Sequence, residues 1–233
     1  LIEFCEENKL RNHSEGKFNF AKAFGGGREN RFYDTRRVWR GISLLSDYKT
    51  KPDETYFPMF VKPKAKIDIK IMFDILRDKY ENTPFELIKD ERTICIHRTV
   101  HSSIVQLRDW LPDDIGAVLW TGLSVPVASV YIPFYYGIGE INPNYNSFSK
   151  ENSAFWKFRK LYKRTEVNPD YVTTIRDEFD NIERKIVSKQ TEMEETALEF
   201  FNSDRTECVG FLTYYVNGLC EIALKEAGEL LNK

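Results

Sequence analysis

Three arginines and a tryptophan fall within eight residues, Tyr33-Asp34-Thr35-Arg36-Arg37-Val38-Trp39-Arg40, at the start of an amphipathic pattern. A guanidinium is planar, permanently charged and carries five donors. Such density suits a site that holds a carboxylate or steadies a nucleophile's negative charge. The same spacing also fits a surface helix whose arginines lay their stems over apolar neighbours and keep their heads in water. What the guanidinium groups face separates the two readings.

Other chemistry-bearing residues are weaker signals. His97 and His101 have a metal-ligand spacing for a helix, but their surroundings, Thr93 to Val105, read as strand. Four strand residues span about 13 Å, too far for one ion to take both imidazoles, so no metal site is expected. His101-Ser102-Ser103 has no acid at a spacing that would complete a serine triad. Asp113-Asp114 follows Pro112 and reads as a turn or a helix cap. Gly25-Gly26-Gly27 lacks both a leading apolar strand and a following Gly-Lys-Ser/Thr, so it reads as a loop rather than a phosphate cradle. Cys5, Cys95, Cys208 and Cys220 show no paired spacing, so free thiols in a reducing compartment are expected.

The chain that must position these groups has 233 residues, 42% hydrophobic and 14% aromatic, enough for a substantial core. Lys and Arg number 34 against 36 Asp and Glu, a formal charge of −2 that points to neither nucleic acid nor an anionic membrane. No apolar run reaches the length of a membrane span.

Residues 1–12 have the pattern of a helix end, and Phe18, Phe20 and Phe24 then alternate partly with polar residues. Phe32, Val38, Trp39, Ile42 and Leu45 share one face of a helix from Phe32 to about Leu45. A second helix is predicted from Ile67 to about Tyr80, stopped by Thr83-Pro84. From Arg92 the texture becomes β-branched and aromatic, predicting an antiparallel meander at about 92–97, 100–108, 116–123 and 127–135. Helices follow: Ser153 to Tyr162, one capped by Asn168-Pro169-Asp170 and running to Glu195, and a last one over about 204–231. The final two are expected to pack as an antiparallel pair.

Several patches, in order, resemble bacterial dipeptidases of the dipeptidase A type, which are N-terminal-nucleophile cysteine peptidases related to the secernins. They are Gly16-Lys17-Phe18-Asn19-Phe20, Tyr33-Asp34-Thr35-Arg36-Arg37-Val38-Trp39-Arg40-Gly41 and Arg92-Thr93-Ile94-Cys95. The run continues in His101-Ser102-Ser103-Ile104-Val105-Gln106-Leu107-Arg108 and Leu111-Pro112, then Gly116-Ala117-Val118-Leu119-Trp120. Pro126 and Ser129-Val130-Tyr131-Ile132-Pro133-Phe134-Tyr135 complete it. The likeness is strongest at 16–45 and 92–162.

The resemblance implies an α+β fold, the C-terminal part of an αββα sandwich of two antiparallel sheets covered by helices. Residues 1–164 would belong to that hydrolase domain, and residues 165–233 would be a C-terminal helical pair packed on it. It also implies hydrolysis of dipeptides by an amino-terminal cysteine whose own α-amino group serves as base, with no cofactor and no metal. The Arg-Arg-Val-Trp-Arg segment is similar to the Arg-Phe-x-Arg segment of choloylglycine hydrolases, where the first arginine lies against the catalytic cysteine; matching Arg-x-x-Arg puts that role on Arg37. A guanidinium there would favour thiolate.

The chain begins with Leu1, not cysteine, and Cys5 has no free α-amino group. The expectation is therefore a C-terminal half whose partners are the dipeptide substrate and the missing N-terminal half, with no nucleic acid or membrane. The setting expected is cytoplasmic; an upstream signal peptide, the oligomeric state and the dipeptide preference stay open. Two alternatives remain: an amidase or acylase acting on a non-peptide amide, and a non-catalytic secernin-like interaction module.

Overall fold

A computed structural model describes residues 2–9, 32–54, 57–86 and 91–233. The expected phenylalanine alternation, the glycine loop and the patch at 16–20 lie outside these residues. Helix α1 is Ile2–Glu7, α2 is Phe32–Leu45 and α3 is Ile69–Arg77. Strand β1 (His101–Leu107) leads through the one-turn α4 (Asp113–Gly116) to β2 (Ala117–Leu123). A 3₁₀ turn at Pro126–Ala128 precedes β3 (Ile132–Tyr135). Helices α5 (Ala154–Val167), α6 (Tyr171–Ser203) and α7 (Arg205–Asn232) complete the chain.

The strands form an antiparallel sheet in the order β1-β2-β3, so the fold is α+β. Ile104 pairs with Trp120 and Gln106 with Val118, which in turn pairs with Tyr135. Cross-strand partners share a face, so these side chains point together. The face they share is backed by helices. Phe73 of α3 stacks on Tyr131 at 4.5 Å and meets Trp120 edge-on at 5.4 Å. Gln190 and Glu194 of α6 reach Gln106 and Tyr135. Among the buried side chains are Trp120, Tyr131, Tyr135, Phe158, Phe179, Leu212 and Leu230.

Helices α6 and α7 are joined through Asp204 alone, which caps α7 by accepting from the Thr206 N–H at 2.7 Å. Tyr171, at the start of α6, donates its hydroxyl to the Leu230 carbonyl near the end of α7, so the pair is antiparallel. Among the described residues no helix is long and apolar enough to cross a membrane.

Several expectations need correction. Residues 92–97 are not a strand. The Cys95 N–H goes to the Asp78 carbonyl at 2.9 Å and the Tyr80 hydroxyl donates to the Arg92 carbonyl, so this β-branched stretch plugs the core without a ladder. His97 therefore sits in a turn, and only His101 is in a strand. The strand expected from 127 begins at Ile132. Ahead of it, side chains of α3 and α6 occupy the backbone groups a ladder would use: Arg77 bonds the Pro126 carbonyl, Arg176 the Ser129 carbonyl, and Glu183 accepts the Tyr131 N–H.

Helix α3 starts at Ile69 because Asp68 accepts from the Ile71 N–H, and it stops at Arg77, well before Thr83-Pro84. Asp78 turns extended, and Tyr80 takes a left-handed φ of 67°. Asp170 makes no side-chain cap for α6; the Asn168, Pro169 and Asp170 carbonyls accept the first amides instead. Helices α5 and α6 run on past their expected ends, to Val167 and Ser203.

Candidate functional site

The three arginines of α2 meet three different environments. The carboxylates that engage Arg36 and Arg40 come from outside the helix. Arg36 donates to Glu91 at 2.5 Å and lies over the Phe85 ring at 4.2 Å, with Glu91 only 7% exposed. Arg40 grips Asp78 through Nε and Nη2 at 2.6–3.0 Å, and Nη2 also reaches the Glu81 carbonyl. Trp39 packs between the two, edge-on to Tyr80 and Phe85 at 6.3 and 5.7 Å. These contacts lock α2 onto residues 78–85 and Glu91.

Arg37 differs. Among the described residues its partners belong to its own helix: Nε donates to the Tyr33 carbonyl at 3.1 Å and Nη2 to Asp34 at 2.5 Å. Its side chain keeps 36% of its exposure and that of Asp34 keeps 50%. An exposed pair of this kind adds little stability. Arg37 is thus the most exposed arginine of the segment, at 36% against 19% and 13% for Arg36 and Arg40, which are held by carboxylates from outside the helix.

Sequence spacing did not reveal a second charged cluster, between α3 and α6. Glu183, 5% exposed, receives Arg77 at 2.5 and 2.9 Å, Arg176 at 3.3 Å and the Tyr131 amide at 2.8 Å. Asp180 accepts from Arg176 and lies 3.7 Å from Arg77. Lys70, Asp74, Asp177 and Arg184 join Arg77, Asp180 and Glu183 around a cleft of about 600 Å³. Burial works to lower the Arg77 pKa, but the attraction and hydrogen bonding of Glu183 outweigh it and the net shift is upward. For Arg176, burial and then repulsion from Arg77 give a net lowering. Both buried guanidinium groups face carboxylates, so the cluster clamps α3, α6 and the 126–131 segment together. Arg77 and Glu183 are 106 residues apart, a separation no motif announces.

Burial also raises the Asp74 carboxyl, with Asp180 and Glu183 adding to the effect against the pull of Arg77 and Arg176. A carboxyl whose folded pKa lies above its unfolded value binds its proton more tightly in the folded state. Its ionisation therefore costs stability as pH rises through that interval, and the cost is absent below the ordinary carboxylate range. Asp74→Asn should accordingly raise the Tm at pH 7, with the gain shrinking as pH falls towards about 4. Equal melting temperatures at pH 7 would show that the cleft does not strain this carboxylate.

The remaining candidates fall out as follows. The thiols of Cys95, Cys208 and Cys220 are free and buried, and burial holds all three pKa values up, Cys220 to about 12. Thiols kept protonated are poor nucleophiles. Cys5 lies within α1. Ser102 pairs with the Tyr131 hydroxyl at 2.8 Å, and burial pushes that phenol up to about 12. Asp114 sits in the first turn of α4 and takes Arg205 through both oxygens, at 2.8 and 3.0 Å. Among the described residues no group of three His, Cys, Asp or Glu side chains could hold a metal.

The sheet's other face is the second notable surface. Val105 pairs with Leu119, and Leu119 with Phe134, all opposite the helix-backed side. Val105, Leu107 and Leu119 are 63%, 73% and 40% exposed. Towards β3 the face is partly covered, where Phe134 meets Tyr145 at 5.7 Å. The sheet thus has helices on one side and exposed aliphatic residues at Val105, Leu107 and Leu119 on the other.

Helices on one face of a three-stranded antiparallel sheet define an α+β protein. The chain belongs to peptidase family C69, whose sequence profile matches residues 1–184. Among curated proteins it is 28% identical to a probable dipeptidase of Latilactobacillus sakei over 69% of this chain and 37% of that protein. It is 31% identical to a probable dipeptidase of Salmonella dublin over 61% of the chain and 35% of the relative. A probable dipeptidase B of Lactococcus lactis subsp. lactis (strain IL1403) is 23% identical over the whole chain and 52% of its own length. The chain thus spans between about a third and a half of the length of these relatives.

Proposed function

We propose that this chain is the C-terminal portion of a cysteine-type dipeptidase whose nucleophile, an amino-terminal cysteine, is supplied by a part of the protein outside these residues. Membership of peptidase family C69 carries this reading, since relatives matched along most of the chain bear the name dipeptidase. The exposed aliphatic face of β1 and β2 supports it: a second sheet laid there would complete an αββα sandwich. Residues 165–233 would be a helical pair packed on the hydrolase domain of residues 1–164, a packing supported by the Arg77–Glu183, Arg108–Glu194 and Asp114–Arg205 pairs that join the two. Buried free thiols suit a reducing, cytoplasmic setting.

In this reading the thiol passes its proton to the cysteine's own α-amino group and the sulfur attacks the scissile carbonyl carbon. The C–N bond breaks as the ammonium returns that proton to the leaving amine, which departs as the second amino acid. Water then gives one proton to the α-amino group and attacks the thioester carbon; the C–S bond breaks, the sulfur takes that proton back, and the first amino acid leaves as its carboxylate with release of the second proton. Arg37 favours the thiolate through its positive charge.

The test compares two preparations on a panel of dipeptides and N-acyl amides. The complete protein should hydrolyse dipeptides, lose that activity on alkylation of its amino-terminal cysteine, and leave the N-acyl amides intact. The 233-residue chain alone should release no amino acid. Preference for N-acyl amides would move the protein to the amidases. Thiol-dependent hydrolysis by the chain alone, abolished by Cys5→Ser, would overturn the missing nucleophile.

A further inference from the structure

The three carboxylates that meet the α2 arginines differ in origin. Glu91 and Asp78 come from another segment and are 7% and 6% exposed, whereas Asp34 stands three residues before Arg37 on the same helix and is half exposed. The first two pairs hold α2 in place. Among the described residues the third joins nothing beyond Arg37 itself.

What it does hold is the orientation of a planar group. Two points define a guanidinium's plane and direction, and Arg37 has two: Nε on the Tyr33 carbonyl and Nη2 on Asp34 Oδ1. Among the described residues Nη1 has no partner, so one edge of the fork is left to a ligand. Charged groups nearby are already engaged. Glu91 takes Arg36, Asp78 takes Arg40, and the Arg92 guanidinium lies over the Tyr33 ring at 5.3 Å. Without Asp34, Arg37 would swing on its flexible stem and meet its ligand only after losing that freedom.

We propose that Asp34 is the positioning residue for Arg37, pinning the guanidinium back along α2 so that its Nη1 edge is presented to the negative charge at the reaction centre. This rests on the reading of Arg37 given above. It assigns Asp34 no contact with substrate and no large part in stability, since an exposed pair three residues apart on a helix stabilises the fold little.

The experiment is a double-mutant cycle in the complete protein, read as kcat and KM on a dipeptide. Asp34→Ala should lower kcat about twofold with KM and Tm unchanged, because an exposed pair on one helix biases the guanidinium's orientation by no more than it stabilises. Asp34→Glu, which keeps a carboxylate within reach, should restore most of the loss. In an Arg37→Ala background the same Asp34→Ala change should have no further effect, because a residue that acts through another is silent once its target is gone. An equal loss in both backgrounds overturns the proposal, as does a change confined to KM. So does an inert Asp34→Ala alongside a crippled Arg37→Ala, an outcome that leaves the role of Arg37 standing. If Arg37→Ala itself is fully active, the reading of Arg37 has failed and Asp34 has nothing to position.

Discussion

Glu183→Ala should destabilise the fold by about 3–5 kcal/mol, the usual loss when one member of a buried charge network is removed and its partners stay behind. Glu183 accepts from both Arg77 and Arg176 and from the Tyr131 amide, and those guanidinium groups are only 10% and 14% exposed. Without the carboxylate, two buried cations face each other across the α3–α6 contact. The 3₁₀ turn before β3 also loses the anchor of its downstream end. Urea unfolding would show a midpoint shift far larger than for Asp180→Ala, because Asp180 bonds Arg176 but is 49% exposed and should cost less than about 1 kcal/mol. Similar losses from the two variants would mean that the cluster is solvated and does not clamp the sheet to its helices.

The second large effect is on catalysis. If Arg37 serves the nucleophile as proposed, Arg37→Ala in the complete protein should lower kcat/KM more than tenfold, a loss of at least about 1.4 kcal/mol of transition-state stabilisation. The pH needed to alkylate the nucleophilic thiol should rise, because the thiolate loses a neighbouring positive charge. Arg37→Lys should recover only part, since a point charge lacks the planar fork. Arg36→Ala and Arg40→Ala should behave differently, lowering Tm, because each strands a buried carboxylate, Glu91 or Asp78. Folded Arg36→Ala or Arg40→Ala protein that is inactive beside a fully active Arg37→Ala would place the catalytic arginine at another position of the segment.

Three guanidinium groups in five residues announce that something is being held, but the letters do not say which group holds it. The answer depends on Glu91 and Asp78, which lie 55 and 38 residues away and meet α2 only in the folded chain. The expected strand at 92–97 failed for a related reason. β-branched residues record a preference for burial on a pleated surface, and Cys95 finds its burial in the core without a ladder.

Elements with local signals were legible from the residues. The α2 span from Phe32 to Leu45 follows from one apolar face at helical period, and the long pair α6 and α7 from apolar residues repeating every three or four positions. The antiparallel strands at 101–107 and 117–123 lie within their expected bounds, and the family motifs are likewise written in contiguous residues. The start of β3, the early end of α3 and the division of labour among the arginines emerged only on folding. The first and last of these rest on charged side chains meeting across dozens of residues, where burial strengthens a pair and solvent would have dissolved it. At the end of α3, Asp78 leaves the helix with its carboxylate in the grip of Arg40 and its carbonyl on the Cys95 amide. A periodic pattern carries no record of such meetings, because the energy of an ion pair depends on distance and burial, and neither exists until the chain has folded.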